Sequence, residues 1–203
     1  MSRRDIDVST LTDIGFMTKS PIFWGAMAVV FIEGTMFALT IASYFYARLG
    51  LDVWPPPGTQ FPHLFWPTVE VILLLASVPP SYLASEASKK CEIGKIRLYL
   101  AINLALAVVA FIIRIGVWNT LNFNWKSDIH GSVVWTILGL HSFDMGADLV
   151  VTLVLIVLTL TPRFNDTHRK AVDWDGVTWY FLVGIWVCLY ATIYIAPYLV
   201  KTA

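Results

Sequence analysis

Six ionisable side chains fall within or at the edge of long apolar runs: Glu33, Glu70, Arg114, His141, Asp144 and Asp148. A charge placed in hydrocarbon is costly unless it is paired, neutralised or hydrated, so each of these positions asks for a partner. His141, Asp144 and Asp148 are spaced i, i+3 and i+7, which puts them on one helix face within roughly 60°. Counting rise at about 1.5 Å per residue from the end of each run that carries basic connectors gives depths for the others. Glu33 then lies about 16 Å in, Asp148 about 20 Å, Asp144 about 25 Å, Arg114 about 27 Å and His141 about 30 Å. Depth therefore matches Arg114 with Asp144 or His141, as a structural ion pair before a catalytic one. It lets Glu33 and Asp148 share a proton or a water, because neighbouring carboxylates in a low dielectric are not both ionised at pH 7. Glu33 and Asp148 are thus the candidates for a proton-holding or interface role. Glu70 stands close to a span end, where water reaches it, and no special role is expected of it. The His141, Asp144 and Asp148 face also suits a metal ion, but no second pair of metal-type ligands appears elsewhere in the chain.

What is missing narrows the chemistry. His63, His130 and His168 are expected in loops, so paired intramembrane histidines for haem are not present. Cys91 and Cys188 make neither a disulfide framework nor a metal motif, and there is no phosphate-binding loop. No redox chemistry is expected of this polypeptide itself.

The elements that must position these groups are membrane helices. The chain has 203 residues, of which 57% are hydrophobic and 14% charged. Soluble domains carry about 25% charged residues, and a net charge of zero argues against nucleic acid as a partner. Hydropathy predicts an all-α, five-helix transmembrane bundle with spans at about 22–48, 66–87, 96–119, 131–161 and 174–200. The bundle, residues 22–203, follows a polar tail, 1–21, that lacks the layout of a secretory signal. Pro21 suits a first helical turn. Pro79-Pro80 is expected to kink or unwind the second span. The connectors leave no room for a soluble domain.

Ten basic residues (Arg3, Arg4, Lys19, Lys89, Lys90, Lys95, Arg97, Arg163, Arg169 and Lys170) fall on one side of this topology and three (Arg48, Lys126 and Lys201) on the other. The positive-inside rule then puts the N-terminus in the cytoplasm and the C-terminus outside. Trp54, Trp66, Trp118, Trp125, Trp174 and Trp179 are expected at span ends as an interfacial belt.

Several strings resemble subunit III of the haem–copper oxidases, in family order along nearly the whole chain. Glu33-Gly34-Thr35-Met36-Phe37-Ala38-Leu39-Thr40-Ile41-Ala42-Ser43-Tyr44-Phe45-Tyr46 is similar to that family's glutamate-bearing third helix. Trp54-Pro55-Pro56-Pro57-Gly58 resembles the segment that follows it, and Leu73-Leu74-Leu75-Ala76-Ser77 the family's Leu-Leu-x-Ser stretch. Gly139-Leu140-His141 resembles the start of its Gly-Phe-His-Gly-Leu-His motif, and Trp186-Val187-Cys188-Leu189-Tyr190-Ala191-Thr192-Ile193-Tyr194 its final helix. The chain departs from the pattern too. The first two helices of the longer members have no counterpart, the second motif histidine becomes Asp144, and the family's final-helix His and Asp fall on Tyr180 and Val183. The family's Gln-x-x-Glu-aromatic reads Arg114-Ile115-Gly116-Val117-Trp118. Arg114 and Asp144 are expected to compensate each other, with His141 beside them, as an ion pair or as lipid-cleft contacts.

The resemblance implies an accessory subunit of a respiratory terminal oxidase in a bacterial cytoplasmic membrane. It implies catalytic subunit I and subunit II as partners, haem and copper held by those partners and none by this chain, and phospholipid bound in a helical cleft. It also implies support of proton uptake while electrons pass from cytochrome c, or quinol, to oxygen. A subunit III-like component of a nitric oxide reductase system is the neighbouring alternative. A small proton-coupled transporter using Glu33, Asp144 and Asp148, and a membrane metalloprotein using His141, Asp144 and Asp148, are the alternatives of other classes.

Overall fold

The computed structural model describes residues 21–57, 59, 63–162 and 164–199. The tail with Arg3, Arg4 and Lys19, together with Gly58, Arg163 and Lys201, lies outside the described residues. Among the described residues there are five long helices: α1 (Pro21–Leu49), α2 (Phe65–Lys89), α3 (Ile93–Thr120), α4 (Ile129–Thr159) and α5 (Asp166–Tyr190). A π-helical turn, Ala191–Ile195, carries α5 on into the short α6, Ala196–Leu199. All five are long and apolar enough to cross a membrane, so the protein is an all-α, multi-pass membrane protein.

Local chemistry sets the helix ends. Asp128 caps α4, its Oδ1 accepting the Gly131 N–H at 2.7 Å. Asn165 caps α5 through a reciprocal pair with His168, each backbone N–H donating to the other's side chain. Helix α2 closes with the Glu92 N–H donating to Ala87 O and the Cys91 N–H to Ser88 O. That closure puts Cys91 at φ 60°, where glycine is usual. Arg97 reaches from α3 to the last turn of α4, its Nη2 donating to Thr159 O at 2.7 Å and satisfying a carbonyl that has no partner in its own helix.

Several expectations need correction. His130 is the second residue of α4 and buried, packed edge-on against Trp54 and Phe123, and His168 lies in the first turn of α5. Neither is a loop residue, because each capping residue starts its helix just upstream of the histidine. Helix α5 begins eight residues before the expected span, since the polar stretch from Asp166 continues the helix beyond the apolar run. Pro79 and Pro80 do not unwind α2, which runs on through both while Pro80 is buried. Proline φ is itself helical, and packing on both sides can hold such a helix despite the lost donors. Trp179 belongs to no interfacial belt: it is 1% exposed, and its Nε1 donates to Ser77 Oγ at 2.9 Å.

That last bond belongs to the contact between α2 and α5. Ser77, Ser81, Ser85 and Ser88 are all buried, at spacings that align them along one side of α2. Ser88 Oγ donates to Arg169 O at 2.7 Å at the basic end of the bundle. Between these bonds, Gly176 brings the backbone of α5 against Ser81 and Ser85. Lipid is as apolar as leucine, so membrane helices gain by close backbone approach and interhelical hydrogen bonds, and small residues permit both. A Cβ at Gly176 would meet Ser85 Oγ at 2.9 Å and Tyr180 Oη at 3.2 Å, whereas one at Gly184, on the same helix, meets nothing within 4 Å. Gly176→Ala is therefore expected to lower stability by about 1–3 kcal/mol through overpacking. Gly184→Ala should leave stability unchanged or raise it by up to about 1 kcal/mol. Thermal or denaturant unfolding in detergent checks both, and equal behaviour of the two variants would contradict this packing.

Candidate functional site

Two polar centres lie within the bundle, both reached by side chains of α4. In the first, Arg114 of α3 is 1% exposed and Glu70 of α2 is 0% exposed. Arg114 Nη2 stands 2.6 Å from Glu70 Oε1. The approach is off the N–H direction, so the attraction is one of charge. Arg114 Nη1 reaches His141 Nδ1 at 3.3 Å and Ser142 Oγ at 3.2 Å, both on α4. Its Cζ lies 3.6 Å from the centre of the Trp186 ring on α5, a cation–π contact in a desolvated setting. His141 Nε2 meets the Leu182 carbonyl at 3.2 Å. A carbonyl only accepts, so Nε2 carries the proton and Nδ1 offers its lone pair to the guanidinium. One cation thus contacts α2, α4 and α5 at once.

Of the two partners expected for Arg114, His141 is in contact with it, and Glu70 takes the place of Asp144. The partner is Glu70, the residue expected to be hydrated. Glu70 is not at the surface: it is 0% exposed, and close by Tyr190, stacked on Tyr194, ties the end of α5 to the start of α2 with its Oη 2.6 Å from Thr68 Oγ1. A signal was available. Pro67, Glu70, Leu74, Ser77, Ser81 and Ala84 recur at spacings of three and four and are all buried. Glu70 sits on the inward stripe of α2.

The second centre is a cleft of about 440 Å³ between α1, α4 and α5, lined by Glu33, Asp144, Asp148 and Asp175 together with apolar side chains such as Ile22, Val29, Leu155 and Trp174. Asp148 Oδ1 accepts from Thr178 Oγ1 at 3.3 Å. Asp175 is 5% exposed, and Thr152 Oγ1 lies 3.4 and 3.3 Å from its two oxygens. Asp144 Oδ2 and Asp148 Oδ2 are buried without a hydrogen-bond partner among the described residues. Among the described residues, no lysine, arginine or histidine lines this cleft.

The structure therefore splits the His141, Asp144 and Asp148 face. Asp144 is turned by about 60° from His141, and Asp148, nearly in line with His141, lies about 10 Å further along the helix, so His141 meets the sealed pair while Asp144 and Asp148 line the cleft. Both His141 ring nitrogens are engaged away from the two aspartates, and among the described residues no group of three or more His, Cys, Asp or Glu side chains is arranged to hold a metal ion. Glu33, Asp144 and Asp148 do come together. Asp175 joins them although the sequence reading did not single it out. Its signal was the inward stripe of α5, Asp175, Trp179, Leu182 and Trp186, again spaced by threes and fours.

Bundle and polar centres define a class, a polytopic helical membrane protein whose buried charges serve packing and one acidic cleft. No family model matches the chain. It is similar to cytochrome c oxidase subunit 3 of Thermostichus vulcanus, with 24% identity over 172 residues, 84% of this chain and 85% of that protein. Cytochrome c oxidase subunit 3 of Cyanidium caldarium is 28% identical over 192 residues, 88% of this chain and 68% of that protein. A probable cytochrome c oxidase subunit 3 of Mycobacterium bovis is 23% identical over 191 residues, 92% of this chain and 91% of that protein. These similarities, each over most of the chain and at low identity, support the subunit III family and an accessory subunit of an oxidase.

The sealed pair generates a direct prediction. Removing one partner of a buried ion pair strands the other charge, so Glu70→Gln is expected to lower stability by about 3–5 kcal/mol. Replacing both, with Glu70→Leu and Arg114→Met, should cost less than either single change. Asp144→Asn leaves the pair intact and should cost under about 1 kcal/mol. Unfolding in detergent measures all of these, and a larger loss for Asp144→Asn than for Glu70→Gln would restore the pairing rejected above.

Proposed function

We propose that this chain is the accessory subunit III of a respiratory terminal oxidase that passes electrons from cytochrome c, or quinol, to oxygen. Its similarity to proteins named cytochrome c oxidase subunit 3 over 84% to 92% of its length carries this reading. In it, the chain sits beside catalytic subunit I, with subunit II in the same complex, and those partners hold the haem and copper. It forms a single membrane domain from residue 22 onward, behind the 1–21 tail. Its own part is mechanical and electrostatic. The Arg114 and Glu70 pair, with the other contacts of Arg114, ties α2, α3, α4 and α5 into a firm surface for a neighbour, and the apolar wall of the cleft, Ile22, Val29 and Leu155 among it, suits a phospholipid acyl chain. Carboxylates opening toward the basic end of the bundle supply proton-binding groups on the side from which the oxidase takes up protons.

The membrane is the bacterial cytoplasmic membrane, with the N-terminus in the cytoplasm and the C-terminus outside. Lys89, Lys95, Arg97 and Arg169 cluster at one end of the described bundle, where Lys89 Nζ also lies 3.9 Å from Asp173 Oδ1. Reporter fusions at both termini test this orientation: the N-terminal fusion is expected to be active only as a cytoplasmic reporter and the C-terminal one only as an external reporter.

Purification in mild detergent through a tag on this chain, followed by haem spectroscopy, tests the subunit assignment. A haem protein is expected at about one equivalent per chain. The chain reconstituted alone is expected to move no substrate. Recovery without any haem protein, or transport by the isolated chain, would overturn the assignment.

A further inference from the structure

Two cavities meet at the last turn of α1, away from both polar centres. The first, of about 480 Å³, is lined by Phe45, Arg48, Leu49, Leu51, Asp52 and Trp54. The second, of about 370 Å³, shares Leu49 and Leu51 with it and is otherwise walled by Tyr46, Ala47, Gly50 and Ile129. Among the described residues, the first cavity carries charge and the second carries none. Trp54 gives the charged cavity a fixed wall, because it is buried and its Nε1 donates to Tyr44 Oη at 3.0 Å.

Arg48 and Asp52 bring opposite charges to one cavity without pairing. The ion pairs among the described residues involve Lys89, Lys95, Arg114 and Arg169, so neither Arg48 nor Asp52 is joined to the other or to a third charge. The chain running on from Trp54 adds no Asp, Glu, Lys or Arg before Glu70.

Depth selects the kind of ligand. Thr35 is the middle residue of the 29-residue α1, and at about 1.5 Å per residue Arg48 stands about 20 Å beyond it. Half the hydrocarbon layer is about 15 Å, and half the bilayer with its headgroups is about 20 Å or slightly more. With α1 centred in the bilayer, Arg48 therefore lies among lipid phosphates. Tyr46 lies about 16 Å from the middle, at the edge of the hydrocarbon, and Leu39 about 6 Å, well inside it. Leu39 and Tyr46 are both exposed and stand two helical turns apart, on the same face. The uncharged cavity thus opens onto an apolar track that leads inward, while the charged one stays at headgroup level.

A ligand that fits both cavities has a charged head and an apolar chain. The guanidinium fork of Arg48 suits phosphate oxygens. The Asp52 carboxylate suits an ammonium that still carries N–H donors. Free phosphate would leave Asp52 and the apolar cavity without a part, and a purely anionic headgroup would set a like charge beside Asp52.

We propose that the end of α1 binds a zwitterionic phospholipid with a primary ammonium. Its phosphate lies on Arg48, its ammonium on Asp52, and an acyl chain runs from Leu49 past Tyr46 toward Leu39. The site is separate from the acidic cleft, which α1 lines with Ile22, Ala26, Val29 and Glu33. The proposal does not depend on the subunit assignment.

Native mass spectrometry of the full-length protein in mild detergent, titrated with defined phospholipids, tests it. The wild type is expected to bind phosphatidylethanolamine at least about threefold more tightly than phosphatidylglycerol or phosphatidylcholine. Arg48→Gln is expected to weaken phosphatidylethanolamine binding at least about threefold, and Arg48→Lys to weaken it less. Asp52→Asn is expected to abolish the preference for the ethanolamine lipid. A lipid in the acidic cleft is untouched by these changes, so differences between variants report this site. The unfolding midpoints of the variants are expected to match the wild type, since neither side chain is ion-paired within the chain. Equal binding of the three lipids by the wild type, or a preference for the glycerol lipid, would overturn the proposal. So would wild-type affinity in Arg48→Gln, or an ethanolamine preference that survives Asp52→Asn.

Discussion

One guanidinium organises the interior of this bundle. Arg114 is buried to within 1% of its surface, and it draws Glu70 from α2, His141 and Ser142 from α4 and the face of Trp186 from α5 around itself. In hydrocarbon such a charge has no aqueous alternative, so its contacts are enforced by the high free energy of any arrangement that leaves it alone. Whether a buried pair adds net stability over an apolar substitute is a separate matter, and it often does not. What it does here is restrict arrangement: α2, α4 and α5 must meet at one level and in one rotation. Much else follows, including the closeness of α2 and α5 that their serines and Gly176 permit.

The direction of His141 is the hinge between the two polar centres. Because His141 is held on Arg114 and on the Leu182 carbonyl, α4 is fixed in rotation, and Asp144 and Asp148 are turned toward α1 and α5. The sealed pair and the acidic cleft are thus consequences of the same constraint. One is internally neutral and closed. The other gathers four carboxyl groups with no basic side chain among the described residues that line it.

Much of this was legible beforehand. Five spans follow from apolar runs of the length a bilayer requires, whereas the caps Asp128 and Asn165, which start α4 and α5 upstream of His130 and His168, were not read from the sequence. The strings around Glu33, Trp54 and Trp186 resemble the same family that the similar proteins are named for. The candidate residues were visible as ionisable groups in apolar surroundings, though Asp175 escaped because it lies near a polar stretch that blurred the start of its span.

Partnership was not legible. Depth along a helix is a one-dimensional quantity, and it allowed Arg114 to be matched with Asp144. Glu70 and Asp144 differ in the direction they face, and direction is set by how helices rotate against one another. Local sequence determined the number, length and ends of the helices, because bilayer thickness, hydropathy and capping act along the chain. Only the tertiary structure decided which charges are paired and which are gathered unpaired, because that depends on the mutual rotation of α2, α3, α4 and α5 around a single buried cation.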